Sequence, residues 1–370
     1  MTVVFFFGGQ SSEHEISCMT AVGVLGALDP GRFVACGVGI ARDGRWVRYG
    51  AADIATLVVT DDGQLPSVDA ARPGAVLTRD GSHVYLSTLD GDRLIDTVRV
   101  DVAFPLLHGP FGEDGTIQGF FEMMGLPYAG AGVAASAIGM DKELSNLAFA
   151  QAGLGVGPYI TLGGKNEAWA VDDAVGAIEE AGLEYPLYVK PARGGSSVGI
   201  SRVEAEGALE AALTLARRHD HKVIIEQGIV GAREIECAVL GPRPGGGAVR
   251  ASRPGEIVVH DVAGFYDYEA KYLAPDEADV VVPADLPPDV TDAVRRVAVT
   301  AFEAIGGEGL SRVDSFVLAD GTVIVNEINT MPGFTQISAY PLMWQAEGMT
   351  YQALISDLID QAIARRMGSR

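Results

Sequence analysis

An α/β fold in two or three domains is predicted by three features of the chain. Its 370 residues exceed what one simple core organises. Apolar residues make up 48% but aromatics only 7%, with glycine and proline interspersed, as in a soluble globular protein. Strand-like and helix-like segments alternate, which argues for a mostly parallel sheet.

The first element reads as a strand over residues 3–7, turned by Gly8-Gly9. Ser12 with Glu15 three residues on matches a capping box, opening a helix toward Ala27. Strand-like runs follow at 33–40, 45–48, 84–86 and 100–107, while 60–96 is rich in Asp, Gly and Pro and reads as surface hairpins. A helix-period segment over 116–124 stops at Gly125. A second unit begins near Gly130, with helices predicted over 134–152, carrying Lys142, and over 168–181, and strands over 186–190 and 222–226. A third holds a strand at 234–240, a polar-aromatic loop at 262–277, a helix at 290–305, a hairpin over 311–328 and a closing helix at 351–365.

Charge and cysteine usage narrow the function. The net charge of −22 repels phosphate backbones, so nucleic acid is an improbable partner. No apolar run approaches the roughly 20 residues that span a bilayer, and the N-terminus lacks a signal peptide's charged start. Cys18, Cys36 and Cys237 have neither disulfide nor zinc spacing, which fits a reducing cytoplasm. Only five of the 27 basic residues are lysines, at 142, 165, 190, 222 and 271.

Asp320-Gly321 is a strong hairpin signal, and a two-residue loop there sets Asp314 opposite Glu327 and Arg312 opposite Asn329 on one face. Opposed like charges destabilise a ribbon unless compensated. Two carboxylates and an amide oxygen suit Mg²⁺ or Mn²⁺. The same face also suits a solvated strand end with Arg312 as ion-pair partner. A second feature runs from the predicted strand end Lys190-Pro191 into Gly194-Gly195-Ser196-Ser197, where backbone N–H groups can approach anionic oxygens. It is neither a Walker A loop nor a dinucleotide fingerprint, and a plain hairpin turn has the same composition. Metal-type ligands with a phosphate-type loop, and lysines at 142, 190 and 271 in motif-like contexts, point together to a nucleoside triphosphate.

GGQSSEHEIS (8–17), HGPFGEDGTIQG (108–119), MDK (140–142), VKPARGGSSVGIS (189–201), EQGIVGAREIE (226–236), FYDYEAKY (265–272), SRVD (311–314) and NEINTMPGFTQIS (326–338) stand in the order found in the D-alanine–D-alanine ligases of the ATP-grasp superfamily, which the chain resembles over nearly its full length. The resemblance implies three domains, an N-terminal parallel-sheet domain over 1–129 and two α+β domains over 130–227 and 228–370 that clamp ATP. It implies that ATP phosphorylates one D-alanine and that a second attacks the acyl phosphate, in a cytoplasmic enzyme commonly found as a homodimer.

By the same resemblance Asp314, Glu327 and Asn329 hold Mg²⁺ or Mn²⁺, as two ions. Lys142, Lys190, Ser197 and Lys271 contact the ATP phosphates, Glu226, Gln227 and Ile229 read the adenine, and Glu234 holds the ribose. Glu13 receives the first D-alanine's ammonium, with His108 beside that substrate. Arg312 and the Gly333 N–H stabilise the oxyanion, and Ser338 with the Ala339 N–H holds the second carboxylate. Ser196, Tyr272 and Glu13 close a triad over the site, with Tyr266 and Tyr268 as packing anchors. Gly194 departs from the pattern, since many relatives carry glutamate there. The competing readings are a ligase for D-alanine and D-lactate and a nucleotide-binding regulator without chemistry. The first is disfavoured by Tyr272, where lactate users present a histidine, and the second by the complete set that includes Arg312.

Overall fold

A computed structural model of the protein describes residues 1–163, 169–259 and 278–365. Its first sheet has seven strands: β1 (Thr2–Gly8), β2 (Val34–Ile40), β3 (Trp46–Gly50), β4 (Gly74–Asp80), β5 (His83–Asp90), β6 (Arg93–Val100) and β7 (Val102–Pro105), in the order β6-β5-β4-β3-β2-β1-β7. The predicted mostly parallel sheet is mixed. Only β2, β1 and β7 run parallel, and the Asp/Gly turns at 81 and 91 fold β4, β5 and β6 back as an antiparallel meander. The predicted strand over 100–107 is interrupted at Asp101, whose carboxylate accepts the Thr2 N–H. Helix α1 (His14–Ala27) opens later than the capping box requires. Glu13 occupies its N-cap without a side-chain cap, and Glu15 pairs with Arg42 at 2.5 Å instead. A one-turn helix α2 (Ala51–Ile54) and α3 (Thr116–Met124) follow, the latter ended by Gly125 in the left-handed region.

The predicted helix over 134–152 is two helices, α4 (Val133–Met140) and α5 (Lys142–Gln151). Asp141 between them is extended and accepts the Leu144 N–H at 3.3 Å, the N-cap chemistry that aspartate favours. The break sets Lys142 on the first turn of a new helix. Next come β8 (Tyr159–Leu162), α6 (Val171–Ala181), β9 (Leu187–Pro191), β10 (Ser201–Val203), α7 (Leu209–Arg217) and β11 (Val223–Gln227), whose strands form an antiparallel sheet in the order β10-β9-β11-β8. Its core packs α6 and α7 against Val189, Val223 and Ile225.

The third sheet contains β12 (Arg233–Leu240), β13 (Arg250–Ala251), β14 (Gly255–Val259), β15 (Ala278–Val281), β16 (Leu310–Val317) and β17 (Val323–Asn329), in the order β15-β14-β12-β16-β17 with β13 on β12. Helix α8 (Pro288–Ala304) covers one face through Val294, Ala298, Ala301 and Phe302. The chain ends in α9 (Ala339–Ala346) and α10 (Tyr351–Ala364). These pack with α1 into one core that joins Phe5, Phe7 and Phe104 of the first sheet to Phe334, Tyr340, Leu354 and Leu358. That shared core is why residues near the N-terminus can face residues near the C-terminus across one cleft.

Candidate active site

The hairpin of β16 and β17 pairs Arg312 with Asn329 and Asp314 with Glu327, as predicted, but by a different route. The turn holds three residues, 319–321, closed by Leu318 N–H to Thr322 O at 2.9 Å with Gly321 at φ +86°. Near the turn the pairing is therefore one residue off, Ser315 with Val325, and a bulge between Asp314 and Ser315 restores it. The bulge changes which residues face which side. Val323 and Val325 join the core under α8, whereas beyond Asn326 it is Ile328 that does so. Glu327 and Asn329 are thereby turned onto the opposite face, with Asp314.

On that face the Arg312 guanidinium grips both oxygens of Asp314, Nε to Oδ1 at 2.7 Å and Nη2 to Oδ2 at 2.6 Å. Asn329 Nδ2 donates to Asp314 Oδ2 at 3.0 Å, and Lys142 Nζ lies 3.5 Å from Glu327 Oε2. Burial opposes the Arg312 charge, but Asp314, Glu236 and Glu327 outweigh it and hold the guanidinium more firmly protonated than usual. Among the described residues no three His, Cys, Asp or Glu side chains group as a metal site, and the Asn329 amide is the third oxygen donor on this face. Two carboxylates and an amide on one face are hard oxygen donors, and the set fits Mg²⁺ or Mn²⁺.

Lys142 Nζ also donates to Gly194 O at 2.9 Å, and its backbone N–H to Ala192 O at 2.9 Å, tying α5 to the glycine-rich loop. In that loop Ser196 and Ser197 take φ of +50° and +58°, a region that costs a non-glycine residue about 1–3 kcal/mol and clusters at functional sites. Ser196 Oγ donates to Glu13 Oε1 at 2.5 Å, so the loop closes onto the start of α1. Lys190 pairs with Glu226, and although burial works against its charge, Glu226 and Glu327 raise its pKa. Gln227 Oε1 accepts the Glu184 N–H at 2.9 Å, and Ile229 follows half-buried beyond the strand end. Glu234 lies opposite Phe316 in the β12–β16 pairing, two residues from Glu236.

His108 Nδ1 faces Met331 O at 3.1 Å; a carbonyl only accepts, so Nδ1 carries the hydrogen and, in the neutral ring, buried Nε2 is the acceptor. Ser338 Oγ accepts the Thr335 N–H at 3.1 Å, lies 2.7 Å from Thr335 Oγ1, and sits at the N-cap of α9 before Ala339. A side chain added at Gly333 would meet Ser338 Oγ at 3.3 Å. Tyr272 and Lys271, with Tyr266 and Tyr268, lie outside the described residues.

Three participants escaped the reading of the sequence. Lys222 pairs with Asp141 at 2.6 Å and Glu143 at 2.7 Å, anchoring the start of α5 to β11. Glu236 lies beside Arg312. Glu113, within a motif from which only His108 was singled out, accepts the N–H of Gly109 at 2.6 Å and of Met331 at 3.2 Å. Burial, then the charge of Glu13, pushes its pKa up to about 8. A carboxyl with a folded pKa above its unfolded one binds an extra proton when folded, so stability falls as pH rises from the ordinary carboxylate range toward 8. Ligand-free urea unfolding between pH 5 and 8.5 is expected to show that loss in the wild type and a flatter profile in Glu113→Gln; parallel profiles would refute it.

Residues 2–131 match the family model described as D-ala D-ala ligase N-terminus, and residues 148–360 the one described as D-ala D-ala ligase C-terminus. A protein of Kocuria rhizophila named D-alanine–D-alanine ligase is 50% identical over 100% of this chain and 95% of its own length. The solved D-alanine-D-alanine ligase of Coxiella burnetii superposes with TM-score 0.80 at 32% identity, covering 98% of this chain and 94% of that one. The VanG D-Ala:D-Ser ligase of Enterococcus faecalis gives TM-score 0.80 at 34% identity over 98% and 99%. The chain, an enzyme of the ATP-grasp fold, belongs to the D-alanine–D-alanine ligase family.

Proposed function

We propose that the protein joins two molecules of D-alanine at the expense of ATP, supplying D-alanyl-D-alanine for cell-wall precursor synthesis in the cytoplasm. The observation that carries the reading is the convergence of the Arg312–Asp314–Glu327–Asn329 face, Lys142 and the loop closed by Ser196 on Glu13. Asp314, Glu327 and Asn329 would hold Mg²⁺ or Mn²⁺. When bound, the metal neutralises charge on the phosphates being transferred. Lys142 and Lys190 supply point charges to the same phosphates, beneath the backbone N–H groups of the Ser196-Ser197 turn. Glu226, Gln227 and Ile229 border the adenine, and Glu234 the ribose.

Glu13 receives the ammonium of the first D-alanine, and the Ser196 hydroxyl on it holds the loop shut, excluding water from the acyl phosphate. The second D-alanine places its carboxylate against Ser338 and the Ala339 N–H. Its amine must lose a proton before attack, and His108 Nε2 is an acceptor in the neutral ring. Arg312 and the Gly333 N–H then meet the oxyanion of the tetrahedral intermediate, and phosphate leaves. We read the three sheets as three domains, divided after 129 and after 227.

The test is ADP release from ATP and Mg²⁺ with each of D-alanine, D-serine and D-lactate as the second substrate. Turnover is expected to require D-alanine and the metal, with D-alanyl-D-alanine the main product. Turnover undiminished by excess EDTA would refute the metal assignment, and a predominantly D-seryl or D-lactyl product would refute the substrate assignment.

A further inference from the structure

In the arrangement it holds, Asp314 accepts three hydrogen bonds, and a metal ion would have to share the carboxylate with them. Its Oδ1 is taken by Arg312 Nε at 2.7 Å, and its Oδ2 by Arg312 Nη2 at 2.6 Å and Asn329 Nδ2 at 3.0 Å. A divalent ion drawing on Asp314 competes with this fork for the same carboxylate charge. The guanidinium cannot respond by losing its proton, and its side chain is only 16% exposed. A buried charge that loses its partner is strongly destabilising. Unless a second carboxylate waits beside it, Arg312 competes with the metal for the same ligand.

Glu236 is such a carboxylate. It is buried, lies directly opposite Asp314 in the pairing of β12 with β16, and places Oε1 3.2 Å from Arg312 Nε, the nitrogen already on Asp314. Glu327 also acts on the guanidinium, but it is a metal-ligand candidate and lies near Lys142. We infer that Glu236 is a positioning residue that takes over the Arg312 guanidinium when Asp314 turns to the metal, so that one arginine can stand beside a metal ligand without blocking it. The inference rests on the metal-dependent reading above. On this account a carboxylate that touches neither substrate nor metal sets how readily the metal binds, and it does so only through Arg312.

Mn²⁺ titration of the ADP-saturated protein, followed by the electron paramagnetic resonance of free Mn²⁺, tests this without turnover. Glu236→Gln is expected to raise the half-saturating Mn²⁺ concentration about tenfold, within the coupling range of contacting charged residues. In the Arg312→Ala background, where the guanidinium no longer competes for Asp314, the same substitution is expected to change it less than about twofold. An equal rise in both backgrounds would show that Glu236 contributes only its charge, and no rise in either that it does not share the guanidinium; each overturns the inference. Glu236→Asp keeps the charge but withdraws it from Nε, and serves as second variant with the same expected pattern should the glutamine variant not fold. Asp314→Asn is the control for the underlying reading. Unchanged Mn²⁺ binding there removes the metal assignment itself, and the inference with it.

Discussion

Arg312→Ala is expected to lower kcat by about 10²–10³-fold, the usual cost of removing one oxyanion stabiliser. The side chain sits among Asp314, Glu236 and Glu327, which keep it charged in a buried place where its field is little screened. Its alanine variant leaves the charges of Lys142 and Lys190 beside the phosphate site, so KM for ATP is expected to move only a few-fold. Without the guanidinium, Asp314 and Glu236, directly opposite in the sheet, repel one another, and lower thermal stability accompanies the kinetic loss. Steady-state kinetics at saturating metal decide the matter. A collapse of ATP affinity with kcat preserved would make Arg312 a phosphate contact.

The largest effect on stability is expected at Phe334. It is fully buried, with ring centroids 6.1 Å from Phe104, 5.7 Å from Tyr340 and 5.7 Å from Tyr351. Phe334→Ala opens a cavity among rings drawn from the first sheet and from the two C-terminal helices, and such truncations cost about 3–5 kcal/mol. The backbone is affected as well, because Tyr351 Oη donates to Phe334 O at 2.5 Å, one residue beyond Gly333. Urea unfolding is expected to report the loss, and kcat to fall beyond it as the Gly333 N–H loses its support. A loss below about 1 kcal/mol would mean that the core collapses around the gap and that the rings do not join the two ends of the chain as a unit.

Much of this was legible because the informative residues are close in sequence. The pairings of Arg312 with Asn329 and of Asp314 with Glu327 follow from a turn signal and strand alternation, though the predicted two-residue turn is a three-residue one and the bulge cancels the difference. The break at Asp141 was also in the sequence, since aspartate is a favoured N-cap, but an unbroken apolar period masked it. The mixed character of the first sheet was not, because hairpins in 60–96 do not say which sheet they extend. Glu113 and Glu236 were missed for a different reason. Their significance lies in partners far along the chain, Met331 for the one and Arg312 for the other, and no local pattern marks a carboxylate for such a role. Lys222 could have been found, since lysines are few and the other described ones, Lys142 and Lys190, also engage carboxylates in the cleft.

The bulge at Asp314 gives β17 two phases. Up to Val325 odd-numbered residues pack the interior; from Glu327 on, odd-numbered residues are the proposed metal ligands, with Asn326 the single residue of slippage between them. An unbroken strand would have to choose, because side chains alternate strictly and a one-residue slip exchanges the two faces. With the slip built in, one continuous strand anchors itself in the core with its first half and presents hard ligands with its second, without leaving the sheet. Substitutions in the apolar first half, Val323-Ile324-Val325, therefore act on packing, and those in the polar second half, Asn326–Asn329, on the proposed site. The slip itself is the sensitive point: forcing Asn326 into regular pairing would exchange the faces of Glu327, Ile328 and Asn329 together, sending two polar groups under α8 and an isoleucine to the face of Asp314.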